Sequence, residues 1–308
     1  MPLLTITLNP ATDKVYTVPG FQAGGVFRPC ETRVYAGGKG INASRVYRTL
    51  GGAGTAAGFL GGRNGEYIRN CLTDEGIASA FTPIRGESRI CSMIVDPMGQ
   101  TETVLNETGP EVTPADCKRF LSNLRELLPS YSVVLLSGSA PPSVAPSFYG
   151  DVVRLVQEHG RKIAVDATGE ALRAAAAESP FLLKPNADEL KALSVEGDGW
   201  AGSAQALHEH YGLTLGVITD GPRGAVVASA EGVWQVVPPT IDLVSTVGSG
   251  DSLTGAFLWA LEEGWSVPEA LRLGVAAGTA NATVYGSGFC SREQIFALFA
   301  RTALERLS

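Results

Sequence analysis

The chain has few histidines, no paired cysteines, no surplus of positive charge and no long apolar run, and each lack removes a class of function. The three histidines (His159, His208, His210) stand in polar stretches that read as helix ends or surface, with no motif around them, so none is expected to be catalytic. The five cysteines (Cys30, Cys71, Cys91, Cys117, Cys290) are odd in number and scattered, without a C-x-x-C pair. That argues against a zinc site or a redox dithiol and suits a reducing cytoplasm. Lys plus Arg total 24 against 31 Asp plus Glu, a formal charge of −7. Such a field repels a polyphosphate backbone at long range, so a dedicated nucleic-acid binder is not expected. No stretch approaches the ~18 apolar residues of a membrane span. The N-terminus lacks a basic segment and its apolar stretch breaks at Asn9-Pro10, so no signal peptide is expected and the location is read as cytoplasmic.

What is present is the composition of a globular protein: 308 residues, 44% hydrophobic and 18% charged, enough to bury a large core. An anionic small-molecule substrate must then be held by a few local Lys, Arg or backbone N–H groups working against the overall field. Short β-branched runs alternate with helical patterns, the signature of parallel strands joined by crossover helices. The clearest strands are Leu3 to Leu8, Val133 to Ser137, Lys162 to Asp166, Phe181 to Lys184 and Leu215 to Thr219. Helices are expected at Pro114 to Leu128, Ser143 to His159, Ala187 to Leu193, Asp251 to Glu263, Pro268 to Tyr285 and Arg292 to Leu307. Val15 to Tyr35 and Arg89 to Asn106 instead alternate with Gly or Pro turns and no helix between them. They read as an antiparallel excursion, either an edge hairpin or a small lid over the cleft. With no repeat and no low-complexity linker, residues 1–308 are read as one domain, the lid occupying about 13–35 and 88–107.

Three motifs lie where strands meet helices, the place where open α/β sheets bind ligands. Gly37-Gly38-Lys39-Gly40-Ile41-Asn42-Ala43 opens a helix, and its glycines, free N–H groups and Lys39 make an anion site. It is not a Walker A loop, because Arg33 stands where the first Gly belongs and no Ser or Thr follows the Lys. Gly38-x-Gly40-x-x-Ala43 also satisfies a dinucleotide fingerprint, but Phe59 to Arg63 supplies no acid for a ribose. An NADP oxidoreductase stays open, as does a plain Gly-rich turn with a solvated Lys. Thr246-Val247-Gly248-Ser249-Gly250-Asp251 enters the next motif-bearing helix. Its small residues expose N–H donors for charge on a transferring phosphoryl group, and the Asp251 carboxylate can take a proton from an attacking hydroxyl. The bland alternative is a residue that only complements the helix dipole. In Lys184-Pro185-Asn186-Ala187-Asp188-Glu189, Asn186 and Glu189 face one way and suit hydrated magnesium, or form a capping box. Ser137-Gly138-Ser139, Asp166-Ala167-Thr168-Gly169 and Thr219-Asp220-Gly221-Pro222-Arg223-Gly224 end further strands and outline a cleft rim.

In this order and spacing, with Thr7-Leu8-Asn9-Pro10-Ala11-Thr12-Asp13 near the start, these motifs resemble those of the ribokinase-like, or PfkB, sugar kinases along essentially the whole chain. T-L-N-P-A-x-D with G-G-K-G-I-N is similar to the phosphosugar branch that contains 1-phosphofructokinase and tagatose-6-phosphate kinase. The resemblance implies a three-layer α/β/α sandwich, with a sheet of nine or so strands and a small β lid, moving the ATP γ-phosphate to a hydroxyl of a sugar monophosphate such as fructose 1-phosphate. A non-catalytic sugar-phosphate sensor is the other class left open. By resemblance Asp251 is the base, and the backbone of Gly248, Ser249 and Gly250 is the anion hole. Asp13 and Ser139 hold sugar hydroxyls beside Gly38 and Asn42, while Lys39 holds the sugar's own phosphate with help from Arg28 and Arg89. Lys184, Asn186, Thr219, Gly221 and Gly224 face the nucleotide, and Ala277, Asn281 and Gly286 line the adenine pocket. Asn186 and Glu189 organise Mg²⁺ through water, and a homodimer joined by lid strands is implied. Three positions depart from the family pattern: Arg63 stands where Asp is usual, Asp220 where Leu is common, and no polar residue precedes Arg28.

Overall fold

The computed structural model describes residues 2–308. From the N-terminus these run through β1 (Leu3–Thr7), β2 (Ala11–Thr17), β3 (Glu31–Gly37), α1 (Lys39–Thr49), β4 (Gly54–Leu60), α2 (Gly62–Asp74), β5 (Ala78–Pro83), β6 (Arg89–Asp96), β7 (Thr101–Asn106) and α3 (Pro114–Leu127). There follow β8 (Val133–Ser137), α4 (Phe148–Glu158), β9 (Lys162–Asp166), α5 (Gly169–Ala176), β10 (Leu182–Leu183), α6 (Ala187–Ala192), α7 (Gly199–His210) and β11 (Leu215–Thr219). The last third holds β12 (Ala225–Ser229), β13 (Gly232–Val237), α8 (Ser249–Glu262), α9 (Val267–Asn281), α10 (Arg292–Phe299) and β14 (Ala303–Arg306).

Because strand side chains alternate between faces, the apolar runs of β1 and β8 feed two cores at once. Leu4, Ile6, Val134 and Leu136 join the layer under α3, α4, α5 and α7. Leu3, Val133 and Leu135 join the layer under α1, α8, α9 and α10. Each large apolar side chain fully buried this way stabilises the fold by about 1.5–3 kcal/mol. The sheet has ten strands in the order β14-β13-β12-β11-β10-β9-β8-β1-β4-β5, parallel from β11 to β5 and antiparallel through β12, β13 and β14. It fulfils the expected sandwich. The second sheet, β3-β2-β6-β7, is built from the two excursions: β2 pairs antiparallel with β3 and parallel with β6. No helix among the described residues is long and apolar enough to cross a membrane.

Three boundaries differ from the sequence reading. The helix expected over Arg292 to Leu307 stops at Phe299, and Ala303–Arg306 becomes β14, whose register sets Arg306 opposite Trp234. The helix expected from Ser143 begins only at Phe148, after Pro141, Pro142 and Pro146. The one expected to reach Tyr285 stops at Asn281. One contact between helices governs the site. A Cβ on Gly255 of α8 would lie 2.3 Å from the Ala43 carbonyl oxygen of α1, so only glycine lets these two helices meet backbone to backbone. That approach carries Asn42 up to Asp251.

Candidate active site

The carboxyl ends of β8, β9 and β10 and the N-termini of α1 and α8 converge on one crevice beside the β1 switch point, where the chain runs off in both directions along the sheet. Gly248 caps α8 in the left-handed region, with φ 81°. A side chain there would also strike Ser287, whose Cβ lies 2.5 Å from where the new Cβ would be. Of the three amides expected to form an anion hole, that of Ser249 already donates to the Thr246 carbonyl at 3.2 Å. That of Gly250 lies in the first turn, where α-helical N–H groups have no partner within the helix, and Gly248 is the N-cap itself.

Asp251 is 7% exposed and accepts a 2.8 Å hydrogen bond at Oδ2 from Asn42 Nδ2. Burial pushes its carboxyl up to about 6, against the pull of Lys39. Beside it, Asp166 at the end of β9 binds two ammonium groups, Lys39 Nζ at 3.0 Å from Oδ1 and Lys184 Nζ at 2.9 Å from Oδ2. Burial opposes the charge on Asp166, but Lys184 and Lys39 together hold its carboxyl down at about 2. Asp166, Asp251 and Glu189 all favour the charged form of Lys39, although burial works the other way. Asp166 was visible in the sequence only as a strand end; the structure makes it the anchor of both cationic side chains.

Where the sugar is expected, Asp13, Tyr35, Cys91, Met93, Asn106 and Val247 line a recess of about 330 Å³ against the second sheet. Burial raises the Asp13 carboxyl to about 7, offset by Arg89 and Arg45. Arg89 is partly buried, its Nε donating to the Asn9 carbonyl at 3.0 Å; Arg28 and Ser139 are exposed. Two residues expected against the sugar are engaged by protein instead. Asn42, 5% exposed, spends its amide nitrogen on Asp251 and its oxygen on Arg45, and Lys39 is drawn to Asp166 rather than toward Arg89.

Where the nucleotide is expected, Asn186 and Glu189 form a complete capping box. Asn186 Oδ1 accepts from the amides of Asp188 and Glu189, and Glu189 Oε2 accepts from the Asn186 amide at 2.8 Å. No cluster of three or more His, Cys, Asp or Glu able to hold a metal occurs among the described residues. The two oxygen-bearing side chains nevertheless fit a largely hydrated Mg²⁺, which needs only one or two protein oxygens beside phosphate oxygens and water. The backbone of Asn186 bridges to Thr219, which brings the third motif against the end of β11. Asp220 is paired with Arg223, whose guanidinium lies 5.4 Å from the Trp200 ring centroid; Gly221 is exposed, while Gly224 is buried with φ 88°. Two of the expected adenine contacts are not surfaces at all. Ala277 and Asn281 are both 0% exposed: Ala277 belongs to the core, and Asn281 donates to the Val247 carbonyl and accepts from the Gly288 amide. Only Gly286 of that set is partly open.

A family model described as pfkB family carbohydrate kinase matches residues 4–294. The chain belongs to the pfkB family. It is 35% identical over 312 residues to 1-phosphofructokinase of Escherichia coli (strain K12), covering 98% of this chain and 97% of that protein. It is 32% identical over 303 residues to tagatose-6-phosphate kinase of Staphylococcus epidermidis (strain ATCC 12228 / FDA PCI 1200), covering 96% and 97%. The structure of phosphofructokinase-2 from Escherichia coli in complex with substrates and products matches with a TM-score of 0.90 at 30% identity, over 98% of this chain and 99% of that one. The protein is therefore a carbohydrate kinase, a phosphotransferase, and the oxidoreductase reading is set aside.

Within this pfkB kinase the departure at Arg63 has a structural account. Arg63 is exposed, and the amides of Arg63 and Asn64 at the start of α2 donate to the Glu87 carboxylate at 3.1 and 3.0 Å. An acid from the loop before β6 thus supplies the negative charge that the helix N-terminus favours. The residue that sequence reasoning missed altogether is Arg45. It lies inside α1 among apolar neighbours, and no local pattern marks it.

Proposed function

We propose that this kinase transfers the γ-phosphoryl group of ATP to fructose 1-phosphate, giving fructose 1,6-bisphosphate and ADP. The observation that carries the reading is the meeting, in one crevice, of the buried Asp251 carboxylate and Lys39, both at glycine-bounded helix starts, with Lys184 from the end of β10 held to the same Asp166 as Lys39. Asp251 takes the proton of the C6 hydroxyl as its oxygen bonds to the γ-phosphorus; the bond from that phosphorus to the bridging oxygen breaks, and ADP leaves with the electron pair. Lys39, Lys184 and the Gly250 amide surround the place where charge spreads over the transferring group. Asp13 accepts from sugar hydroxyls, and Arg89 with Arg28 is left to meet the phosphate that the sugar already carries. A magnesium ion carried with the nucleotide would neutralise phosphate charge, its waters held by Glu189 and Asn186. The lid over the recess keeps water from the γ-phosphorus.

The test is ADP release across fructose 1-phosphate, fructose 6-phosphate and tagatose 6-phosphate. The expected result is a kcat/KM at least about tenfold higher for fructose 1-phosphate, since its phosphate and free hydroxyl exchange ends relative to the 6-phosphates. A preference for tagatose 6-phosphate would move the enzyme to the other named relative's activity. Binding of all three without ADP release would make it a sensor. A homodimer through the lid strands belongs to the same reading, supported by the exposed apolar Val34 and Leu105 on that sheet. A monomer mass by light scattering at micromolar concentration would remove it.

A further inference from the structure

Arg45 is 5% exposed and has all five of its N–H donors engaged. Nε and Nη2 grip the Glu75 carboxylate at 2.8 and 3.0 Å; Nη2 also donates to the Ala36 carbonyl at 2.9 Å. Nη1 donates to the Ser287 carbonyl at 2.7 Å and to Asn42 Oδ1 at 3.2 Å. The guanidinium lies 4.2 Å from the centroid of the Phe289 ring. The bond to Asn42 matters for chemistry. An amide fits its slot almost equally well in two orientations, one presenting nitrogen to Asp251 and the other oxygen. Since Arg45 can only donate, it selects the orientation in which Asn42 Nδ2 donates to Asp251 Oδ2. The flipped amide would set its oxygen against the Asp251 carboxylate and its nitrogen against the Arg45 guanidinium, which cannot accept a hydrogen bond.

We propose that Arg45 is a positioning residue for phosphoryl transfer: by fixing the amide polarity of Asn42 it keeps Asp251 an ionised base. This rests on the reading of Asp251 as the base. The other charged or titratable groups facing the pair are Lys39, Lys184, Asp166 and Asp13 around Asp251, and Glu75 and Tyr35 around Arg45. None of them can orient the amide, because among the described residues none makes a hydrogen bond to Asn42.

The experiment is the pH profile of kcat for Arg45→Met, Arg45→Lys, Asn42→Ala and the Asn42→Ala/Arg45→Met double variant, with KM for both substrates and a thermal melt for each. Arg45→Met is expected to displace the acid limb upward by about one pH unit. That is a loss of about tenfold at pH 5.5 shrinking to within about twofold above pH 8.5, because each pH unit below a base's pKa removes about nine-tenths of its ionised form. KM should change by less than about threefold. In the Asn42→Ala background the same substitution should move the limb by less than about 0.3 pH unit, since nothing is left to orient. Should Arg45→Met not fold, Arg45→Lys, which keeps the charge and can still donate to the amide, is expected to retain a limb within about 0.3 pH unit of the parent. A pH-independent fall in kcat with Arg45→Met or Arg45→Lys, or an undiminished limb shift without Asn42, would overturn the proposal while leaving the base in place. Full activity of Asp251→Asn would overturn the base itself, and this proposal with it.

Discussion

Asp251→Asn is expected to lower kcat by about 10³-fold while KM for sugar phosphate and nucleotide stays within about threefold. Asparagine matches the carboxylate in shape and can still accept the Asn42 amide, so the crevice keeps its form; what disappears is the site for the alcohol's proton. The same variant should be more stable than the parent at neutral pH. Burial raises the Asp251 carboxyl from 3.8 to about 6, which corresponds to roughly 3 kcal/mol. The sign follows from the folded value being the higher one: the fold favours the protonated acid, so the penalty is absent below about 4 and full above about 6. Urea unfolding at pH 4 and pH 8 should therefore show little difference between parent and variant at the lower pH and a higher midpoint for the variant at the upper. A variant with undiminished turnover would require another base. An unchanged midpoint at pH 8 would mean that the carboxylate is better solvated than its burial implies.

Asp166→Asn is expected to be as damaging, but to the fold as well as to the chemistry. Lys184 has a side chain only 4% exposed, and Asp166 is its ion-pair partner. Removing one partner of a buried pair costs about 3–5 kcal/mol, mostly because the remaining charge is left uncompensated. Its carboxyl is depressed to about 2, so its contribution is present above pH 3.8 and fades as pH falls toward 2. The asparagine variant should show a lower urea midpoint at pH 7, a difference that narrows in acid. With Lys39 and Lys184 no longer held to one carboxylate, kcat should fall by at least about 10²-fold, as it does when a donor to developing charge is lost elsewhere. Equal midpoints and equal turnover would show that the lysines find partners without Asp166.

These expectations draw on parts of the molecule that were unequally legible. The helix start that carries Gly248 and Asp251 was readable because small residues and a carboxylate stand together in sequence there, and β1 and β8 because their apolar runs are buried on both faces. The second sheet was readable from period-two alternation without a helix. β4, Gly-Thr-Ala-Ala-Gly-Phe-Leu, was not, since its small residues have weak strand preference and only pairing with β1 and β5 makes it a strand. β14 was misread for the converse reason: Ala-Leu-Glu-Arg favours a helix, and pairing with β13 overrides it. Asn281 was placed at the adenine pocket by resemblance alone, whereas its two bonds to Val247 and Gly288 spend it on joining two loops. Arg45 and Asp166 reach partners as far as 242 and 127 positions away, and no local window along the chain contains such pairs.

The Asp166 anchor has an electrical consequence. Lys39 and Lys184 bring two positive charges to the crevice, and Asp166 with ionised Asp251 cancels them, with Glu189 adding a further negative one. These groups thus leave the crevice with about one negative charge in excess, in a molecule whose formal charge is −7. A polyanionic guest finds orientation there but no reserve of positive charge, and must arrive with counter-ions of its own. On the proposed reading, a cation carried with the nucleotide would contribute to its affinity as much as any side chain of the protein.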